Sequence, residues 1–94
     1  MSIPTELRYS RPDRMLRVTF DDGVGGDISA TRLRVDSPSA EVQGHGPGQK
    51  VVVTGKENVQ IVEMQPVGHY AVRLIFDDGH QTGIYTWPYL RSLI

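Results

Sequence analysis

Cysteine is missing from this sequence of 94 residues, and that absence excludes several kinds of site. Without thiols the chain forms no disulfide, presents no thiolate nucleophile, and could hold zinc only through His, Asp or Glu. Long hydrophobic runs are missing as well, since the longest, Val51 to Val53, is far too short to cross a bilayer. Met1 to Arg11 contains no apolar segment typical of a signal peptide, so we expect a cytoplasmic protein.

An excess of either charge is also missing. Ten basic and eleven acidic residues give a net charge of -1, which provides no general attraction to nucleic acid or to an anionic membrane. The one local concentration, Arg8, Arg11, Arg14 and Arg17, is interpreted as the solvated edge of a strand. We therefore predict no nucleic-acid partner and no membrane partner.

Sequence motifs of enzymes are absent too. No nucleophile elbow, dinucleotide fingerprint or zinc-ligand spacing occurs. The Gly44 to Gly48 segment lacks the Gly-Lys-Ser/Thr ending of a phosphate-binding loop, and a strand, Lys50 to Thr54, is predicted after it. A flexible connector and a binding loop are equal interpretations of this segment. We predict that the chain is not an enzyme and has no cofactor.

What is present is a pattern of strand and turn. In Val72 to Phe76 every second residue is apolar, the period of a strand that buries one face. Asp78-Gly79 then predicts a type I′ turn, with both residues at positive φ, and a return strand through His80 to Tyr85. Counting out from this turn pairs Asp77 with His80, Phe76 with Gln81, and Val72 with Tyr85.

The same pattern occurs 56 residues earlier, where Leu16 to Phe20 leads into Asp21-Asp22-Gly23. At this offset Arg17 matches Arg73 and Ile28 matches Ile84. Each copy continues into a capped short helix, Ser29 to Arg34 or Thr86 to Arg91, with one residue of slip. The predicted fold is α+β, mostly antiparallel strands with short helices, built from two strand-turn-strand-helix units in a single domain, residues 1–94.

Additional elements are predicted before and between the copies. Glu6 to Ser10 is expected to form an outer strand, and Ser37 to start a helical turn that continues to Val42. Val59 to Pro66 is expected to be a strand, joined to the next by a three-residue loop, Val67 to His69. This loop would pair Val62 with Leu74 and Met64 with Val72.

Several polar and aromatic groups are candidates for chemistry. The adjacent carboxylates of the two turns could divide acid and base roles, but an Asp-Gly hairpin turn in solvent is the favoured interpretation. His80 stands where the first copy has Val24, so the hairpin does not require an imidazole, and its predicted pairing with Asp77 would either brace the hairpin or hold a ligand. Trp87, Tyr85 and Tyr89 could form a stacking platform, but an apolar cluster that holds the second helix is the favoured interpretation.

Two stretches carry a family resemblance: LRVDSPSAEVQGHGPGQK, residues 33–50, and PVGHYAVRLIFDDGHQTGIYTWPYL, residues 66–90. The sequence resembles the gamma-butyrobetaine hydroxylase-like N-terminal domain family from Leu7 to Leu93. In the eukaryotic hydroxylases this domain precedes a catalytic domain that uses iron and 2-oxoglutarate. That second domain is not part of these residues, so the resemblance implies no oxygenase activity.

The resemblance also implies a comparison of metal ligands. The hydroxylases hold zinc there through three cysteines and a histidine, at positions that correspond to Ser37, Ser39, Val42 and His80. With three of the four ligands replaced, no zinc site is implied. Related domains are appended to P-loop ATPases of iron–sulfur cluster assembly, which implies a docking module.

Two hypotheses follow. The first is a non-catalytic protein-interaction or docking module whose partner is another protein, with a contact surface that comprises Ser37, Ser39, Gly44, His45, Gly46, His80 and Trp87. The second is a metal- or small-ligand-binding accessory protein linked to iron–sulfur cluster assembly or oxygenase chemistry, with His80 as one ligand. Neither hypothesis defines an oligomeric state.

Overall fold

The computed structural model describes residues 3–38 and 55–94. Within these ranges the strands form two three-stranded antiparallel sheets, ordered β1-β2-β3 and β4-β5-β6, and each sheet is followed by one short helix. The predicted α+β fold, mostly antiparallel strand, is confirmed. The elements are β1 (Pro4–Ser10), β2 (Met15–Phe20), β3 (Gly25–Ser29), α1 (Ala30–Val35), β4 (Ile61–Val67), β5 (Ala71–Phe76), β6 (Gly83–Thr86) and α2 (Trp87–Ser92).

The chain folds as two copies of one unit, which we call unit 1 (residues 4–35) and unit 2 (residues 61–92). The predicted strand-turn-strand-helix repeat is confirmed, and each copy begins with a further strand, β1 or β4. Of the predicted elements, the helical turn from Ser37 to Val42 beyond Pro38, the Gly44 to Gly48 loop and the Lys50 to Thr54 strand lie outside the described residues. No helix in residues 3–38 or 55–94 has the length and apolar character needed to span a membrane.

Both helices begin at the predicted capping residues. The Ser29 hydroxyl accepts a hydrogen bond from the Arg32 backbone N–H at 3.0 Å, and the Thr86 hydroxyl accepts one from Tyr89 at 3.3 Å. Pro88 lies in the first turn of α2, where its missing N–H costs no hydrogen bond. A cap of this kind stabilises a helix by about 1 kcal/mol.

The predicted turn type is wrong. Gly79 has a positive φ of 91°, but Asp78 does not. Gly79 N–H donates to the Phe76 carbonyl at 3.1 Å and Phe76 N–H donates to the His80 carbonyl at 2.9 Å, which defines a three-residue loop with a glycine bulge. The Asp78 carboxylate accepts a hydrogen bond from His80 N–H at 3.1 Å, and this local bond favours the right-handed conformation for the aspartate.

The three-residue loop changes the pairing beside the turn. His80 lies opposite Phe76, with ring centroids 6.0 Å apart, so the predicted pairing of His80 with Asp77 is wrong. Asp77 instead bonds to Gln60, through its backbone N–H at 2.9 Å and its carboxylate at 3.1 Å. Farther along the strands the predicted register of Val72 with Tyr85 is confirmed.

The slip between the copies lies within the second hairpin, between His80 and Gly83. Ile28 faces Leu16 in unit 1, and Tyr85 faces Val72 in unit 2, so Tyr85 is the structural counterpart of Ile28. The predicted match of Ile28 with Ile84 is therefore wrong. Burial agrees, because Ile28 is 1% exposed and Ile84 is 41% exposed.

The pairing of β4 with β5 also differs from the prediction. The loop comprises residues 68–70, so Met64 faces Leu74, where the prediction had Val62. The register shifts between Ile61 and Glu63, and Val62 is 52% exposed. The buried face of the strand was predicted correctly for Met64, because the error is two residues and the side-chain period is two.

One hydrophobic core lies between the inner faces of the sheets and under both helices. The predicted packing of Trp87, Leu90 and Leu93 against the sheet is confirmed by exposures of 9%, 0% and 7%. The core residues are Leu16, Val18, Phe20, Ile28, Ala30, Leu33, Val59, Ile61, Val72, Leu74, Phe76, Tyr85, Trp87, Leu90 and Leu93.

Candidate functional site

The two units hold each other through a reciprocal pair of ion bridges. Arg34, at the end of α1, bonds to Asp78 in the turn of unit 2 at 2.8 Å. Arg91, at the end of α2, bonds to Asp22 in the turn of unit 1, also at 2.8 Å. We call these contact regions the Asp78 junction (Arg34, Ser37, Lys56, Asp78, His80) and the Asp22 junction (Asp22, Val24, Arg91, Ile94).

Backbone contacts repeat the same reciprocity. Arg32 donates to the Leu93 carbonyl at 3.2 Å, and its counterpart Tyr89 donates through its hydroxyl to the Asp36 carbonyl. Equivalent residues of the two units thus make equivalent contacts with the other unit, as an approximate two-fold axis requires. The two junctions are therefore equivalent places in one scaffold, and their differences do not arise from the fold.

The Asp78 junction is the more charged and the more buried of the two. Arg34 Nε and Lys56 Nζ both lie 2.8 Å from one carboxylate oxygen of Asp78, whose side chain is 18% exposed. Burial disfavours ionisation, but the hydrogen bonds from Lys56, the His80 backbone and Arg34 outweigh it and lower the pKa of Asp78 to about 2. In the Asp22 junction, the Asp22 side chain is 42% exposed.

Ser37 and His80 form the polar centre of the Asp78 junction. The Ser37 hydroxyl and His80 Nε2 are 2.9 Å apart and share a hydrogen bond, and Ser37 is completely buried. A Cβ atom at Gly83 would lie only 2.6 Å from the Ser37 hydroxyl, so only glycine allows this close approach. His80 and Gly83, both in the second hairpin of unit 2, therefore define the position of Ser37.

The Asp22 junction has aliphatic residues at the equivalent positions. Ile94 packs over Gly26 as Ser37 packs over Gly83, with the Ile94 methyl 2.5 Å from where a Gly26 Cβ would stand. Val24 occupies the position of His80, and its carbonyl accepts the same turn hydrogen bond, 2.8 Å from Phe20 N. The scaffold is therefore compatible with two aliphatic residues where the Asp78 junction has Ser37 and His80.

Two tyrosines of unit 2 hold the end of α1 next to Ser37. The Tyr85 hydroxyl donates to the Leu33 carbonyl, and the Tyr89 hydroxyl donates to the Asp36 carbonyl. Burial raises the pKa of the Tyr85 phenol well above its usual value, an effect larger than the opposing one of the Ser37 hydroxyl. Both phenols therefore satisfy carbonyls at a helix end that would otherwise lack partners.

The geometry of Ser37 and His80 is that of a nucleophile and a base, but their surroundings are not those of an active site. A separation of 2.9 Å is within the range for proton transfer. The serine, however, is 0% exposed, so no substrate can reach its hydroxyl in this conformation. Among residues 3–38 and 55–94, no group of three His, Asp or Glu side chains is arranged to hold a metal ion.

The residues predicted as a contact surface are only partly described. Ser37 and His80 are in contact, as stated above, whereas Ser39, Gly44, His45 and Gly46 lie outside the described residues. Trp87 is 9% exposed, and its indole N–H donates to the His69 carbonyl at 2.9 Å. Little of the Trp87 ring is therefore available to a partner.

Sequence reasoning missed the two ion bridges. Arg34 and Arg91 end their helices at matching positions, and Asp22 and Asp78 occupy matching positions in the turns. That double match was a usable signal, because side chains repeated in both copies have the same structural neighbours if the copies face each other. Lys56 has no counterpart in unit 1 and could not have been found in this way.

The sequence matches a family of known proteins. Residues 7–91 match the family described as "Gamma-butyrobetaine hydroxylase-like, N-terminal". A comparison with curated proteins gives no match.

Solved structures with the same fold are clearly related in sequence. A crystal structure of a protein of unknown function from Acidithiobacillus ferrooxidans, of the DUF971 family, has a TM-score of 0.81 and 46% identity, and the match covers 96% of this chain and 90% of that one. An NMR solution structure has a TM-score of 0.84 and 49% identity over 99% of this chain and 69% of that chain. A second NMR solution structure has a TM-score of 0.81 and 44% identity, over 99% of this chain and 73% of that chain.

Proposed function

We propose that this chain, which belongs to the gamma-butyrobetaine hydroxylase-like N-terminal domain family, is a non-catalytic docking module for another protein. One solved relative of the chain is a protein of unknown function. The contact surface is centred on the Asp78 junction, where the partly exposed His80 bonds to the buried Ser37. The segment that leaves the junction after Pro38 contains the remaining predicted contact residues, Ser39, Gly44, His45 and Gly46.

One observation carries this proposal. At two equivalent places in one scaffold, the chain has Val24 and Ile94 in one and His80 and Ser37 in the other. A buried hydroxyl and an imidazole are costlier to bury than aliphatic side chains unless each is hydrogen-bonded. Since the fold accommodates the aliphatic pair, we attribute the polar pair to recognition.

The burial of Ser37 favours binding over catalysis. The Ser37 hydroxyl, Gly83 and the tyrosine hydroxyls at Leu33 and Asp36 define where the chain leaves the junction. Residues held in place on a sheet scaffold favour recognition, because less conformational entropy is then lost on binding.

Capture of a partner tests the proposal. The full chain, tagged at one terminus, is incubated with lysate of its native organism, and the bound proteins are quantified by mass spectrometry. We expect one specific partner, at least about tenfold less of it with the His45→Ala and His80→Ala double variant, and an intermediate loss with His80→Val alone.

His80→Val gives unit 2 the residue that unit 1 has at this place. Its matched control is Val24→Ala, which alters the equivalent position in the Asp22 junction and should leave capture unchanged. Thermal unfolding of every variant confirms that the fold is retained. Equal capture by the wild-type chain and the double variant would contradict a contact surface at this junction.

A second candidate function rests on the 2.9 Å approach of Ser37 and His80. An imidazole oriented by this hydrogen bond can serve as one ligand of a small-molecule or metal site in an accessory protein of iron–sulfur or oxygenase chemistry. Elemental analysis of untagged protein tests the metal version: less than about a tenth of an equivalent of any transition metal would reject it.

A further inference from the structure

The outer faces of the two sheets differ at a pair of equivalent arginines. Each sheet has an arginine in its central strand that points away from the core, Arg17 in β2 and Arg73 in β5. In unit 1 the residue opposite Arg17 on β3 is Asp27. The two side chains form a bidentate ion pair, with N···O distances of 3.2 and 3.3 Å. The guanidinium of unit 1 therefore has its counter-charge within the sheet.

Arg73 lacks that counter-charge. The residue opposite it on β6 is Ile84, and its neighbour on β4 is Gln65. The Nε atom of Arg73 is buried and makes no hydrogen bond, and within the described residues its guanidinium forms no ion pair. An arginine with a buried, unsatisfied donor on a sheet face is rare, because buried polar groups are nearly always paired.

The remaining groups of this face do not compensate Arg73. Glu63 is the carboxylate on the same face of β4, but its side chain accepts a hydrogen bond from Gln65 at 2.6 Å and lies beyond ion-pair distance of Arg73. Ile84 is 41% exposed, and Ile75, which faces Glu63, is partly exposed. Among the residues that the structure describes, the outer face of unit 2 therefore combines an arginine that forms no ion pair with exposed aliphatic surface.

We propose that the outer face of the second sheet binds an acidic segment of a partner protein, with a partner carboxylate bound to the terminal nitrogens of the Arg73 guanidinium. Arginine suits this role because its planar guanidinium binds a carboxylate through two parallel hydrogen bonds. An apolar side chain beside that carboxylate covers Ile84 and excludes water from the pair. Arginine flanked by apolar surface is typical of the residues that dominate protein interfaces.

This inference rests on the proposed docking function and adds a surface and a partner chemistry to it. The outer sheet face and the Asp78 junction share no residue. Their tests can therefore fail separately.

A panel of blocked pentapeptides tests the inference directly. Each peptide has a central Glu flanked by Val, Leu, Phe or Thr, and each has a control with Gln in place of Glu. Binding is followed by NMR through the Arg73 Nε–H signal and the Ile84 methyl signals. We expect Glu peptides with an apolar flank to shift both signals and to bind about tenfold more tightly than their Gln controls, because an ionised acceptor strengthens the hydrogen bonds.

Four variants sharpen the test. Ile84→Asp gives unit 2 the residue that unit 1 has at this place, so Arg73 should pair within the sheet and peptide binding should be lost. Ile84→Asn removes the same aliphatic side chain without adding charge and should weaken binding less. Arg73→Gln should abolish the preference for Glu over Gln, whereas Arg17→Gln, the matched control, should leave it unchanged.

Each outcome decides the matter. Equal binding of Glu and Gln peptides, no binding anywhere in the panel, unchanged binding by Ile84→Asp, or equal losses in the Arg17 and Arg73 variants would overturn the inference. If lysate capture depends on His45 and His80 but not on Arg73, the docking function stands and this surface is rejected. If the peptides bind at Arg73 while capture ignores His45 and His80, the junction is rejected.

Discussion

The Asp78 junction and the Asp22 junction are built on one plan, yet the first is the more polar and the more buried of the two. Both join a helix arginine of one unit to a turn aspartate of the other at 2.8 Å. The Asp78 junction adds Lys56, Ser37 and His80, and the Asp22 junction has Val24 and Ile94. The comparison separates what the scaffold requires, the arginine, the aspartate and a glycine, from what one copy has added to it.

The largest difference is expected at the glycines. Gly83→Ala places a Cβ 2.6 Å from the Ser37 hydroxyl and 2.9 Å from the Tyr85 ring, and both side chains are completely buried. Because neither can move freely, we expect a loss of about 2–3 kcal/mol in the free energy of unfolding, measured in urea.

The matched variant Gly26→Ala meets only a methyl group of Ile94, which is 43% exposed and can turn aside. Its loss should stay below about 1 kcal/mol. Neither glycine has a positive φ, so the contrast measures packing alone. Equal losses in the two variants would contradict the different rigidity assigned to the junctions.

The arginines should give a smaller contrast. The Arg34 side chain is 13% exposed, and its removal leaves Asp78 with Lys56 as its remaining cation. Arg34→Ala should lower the free energy of unfolding by about 1–2 kcal/mol, since a hydrogen bond to a charged group is lost from a partly buried site. Arg91→Ala, at the more exposed junction, should have a smaller effect in the same urea measurement. A larger loss for Arg91→Ala would reverse the assignment of the tighter junction.

The smallest expected effect is a dependence on pH. The pKa of Asp78 is about 2 in the folded chain against an ordinary value of 3.8, so the folded state favours the ionised carboxylate. The resulting stability is present above pH 4 and is lost as the pH falls through 2. After allowance for solvent screening it is on the order of 1 kcal/mol.

Urea unfolding between pH 5 and pH 2 measures this contribution, with Asp78→Asn as the control. The variant should be less stable than the wild-type chain at pH 5, and the difference should shrink as the pH falls. A difference that is independent of pH would show that Asp78 does not stabilise the fold through its charge.

Much of the fold was predictable because local chemistry and tertiary structure agree. The alternation in Val72 to Phe76 and the register with Tyr85 follow from the period of a strand with one buried face. The caps Ser29 and Thr86 follow from the need to satisfy the first N–H groups of a helix. The residues that form these patterns lie within a few positions of the strand or helix that they predict.

Two of the errors have a common cause, whereas the conformation of Asp78 follows from its local hydrogen bond with His80. The one-residue slip after His80 and the bulge at Val62 depend on how a strand end meets residues far away in sequence. Asp77, for example, bonds to Gln60 and not to its own hairpin partner. The hydrophobic alternation determines which face of the sheet a residue occupies. Pairing with the neighbouring strand determines where an extra residue is inserted as a bulge.

The candidate site was less predictable than the fold. The family resemblance aligned Ser37 and His80 with two zinc-ligand positions, but the sequence did not show that a hydrogen bond joins them over a glycine. The role of Arg73 was not predicted either. It depends on the cross-strand neighbour, which is Ile84 for Arg73 and Asp27 for its counterpart Arg17.

By itself the sequence determined the duplicated strands, their buried faces and the two capped helices, because hydrophobic period and capping act between neighbours. Only the tertiary structure decided that the helix of one unit closes on the turn of the other, that Asp78 therefore meets two cations, and that Arg73 forms no ion pair within residues 3–38 and 55–94. Charge pairing depends on distances of a few ångströms between residues far apart in the chain, and those distances exist only after the two units have packed.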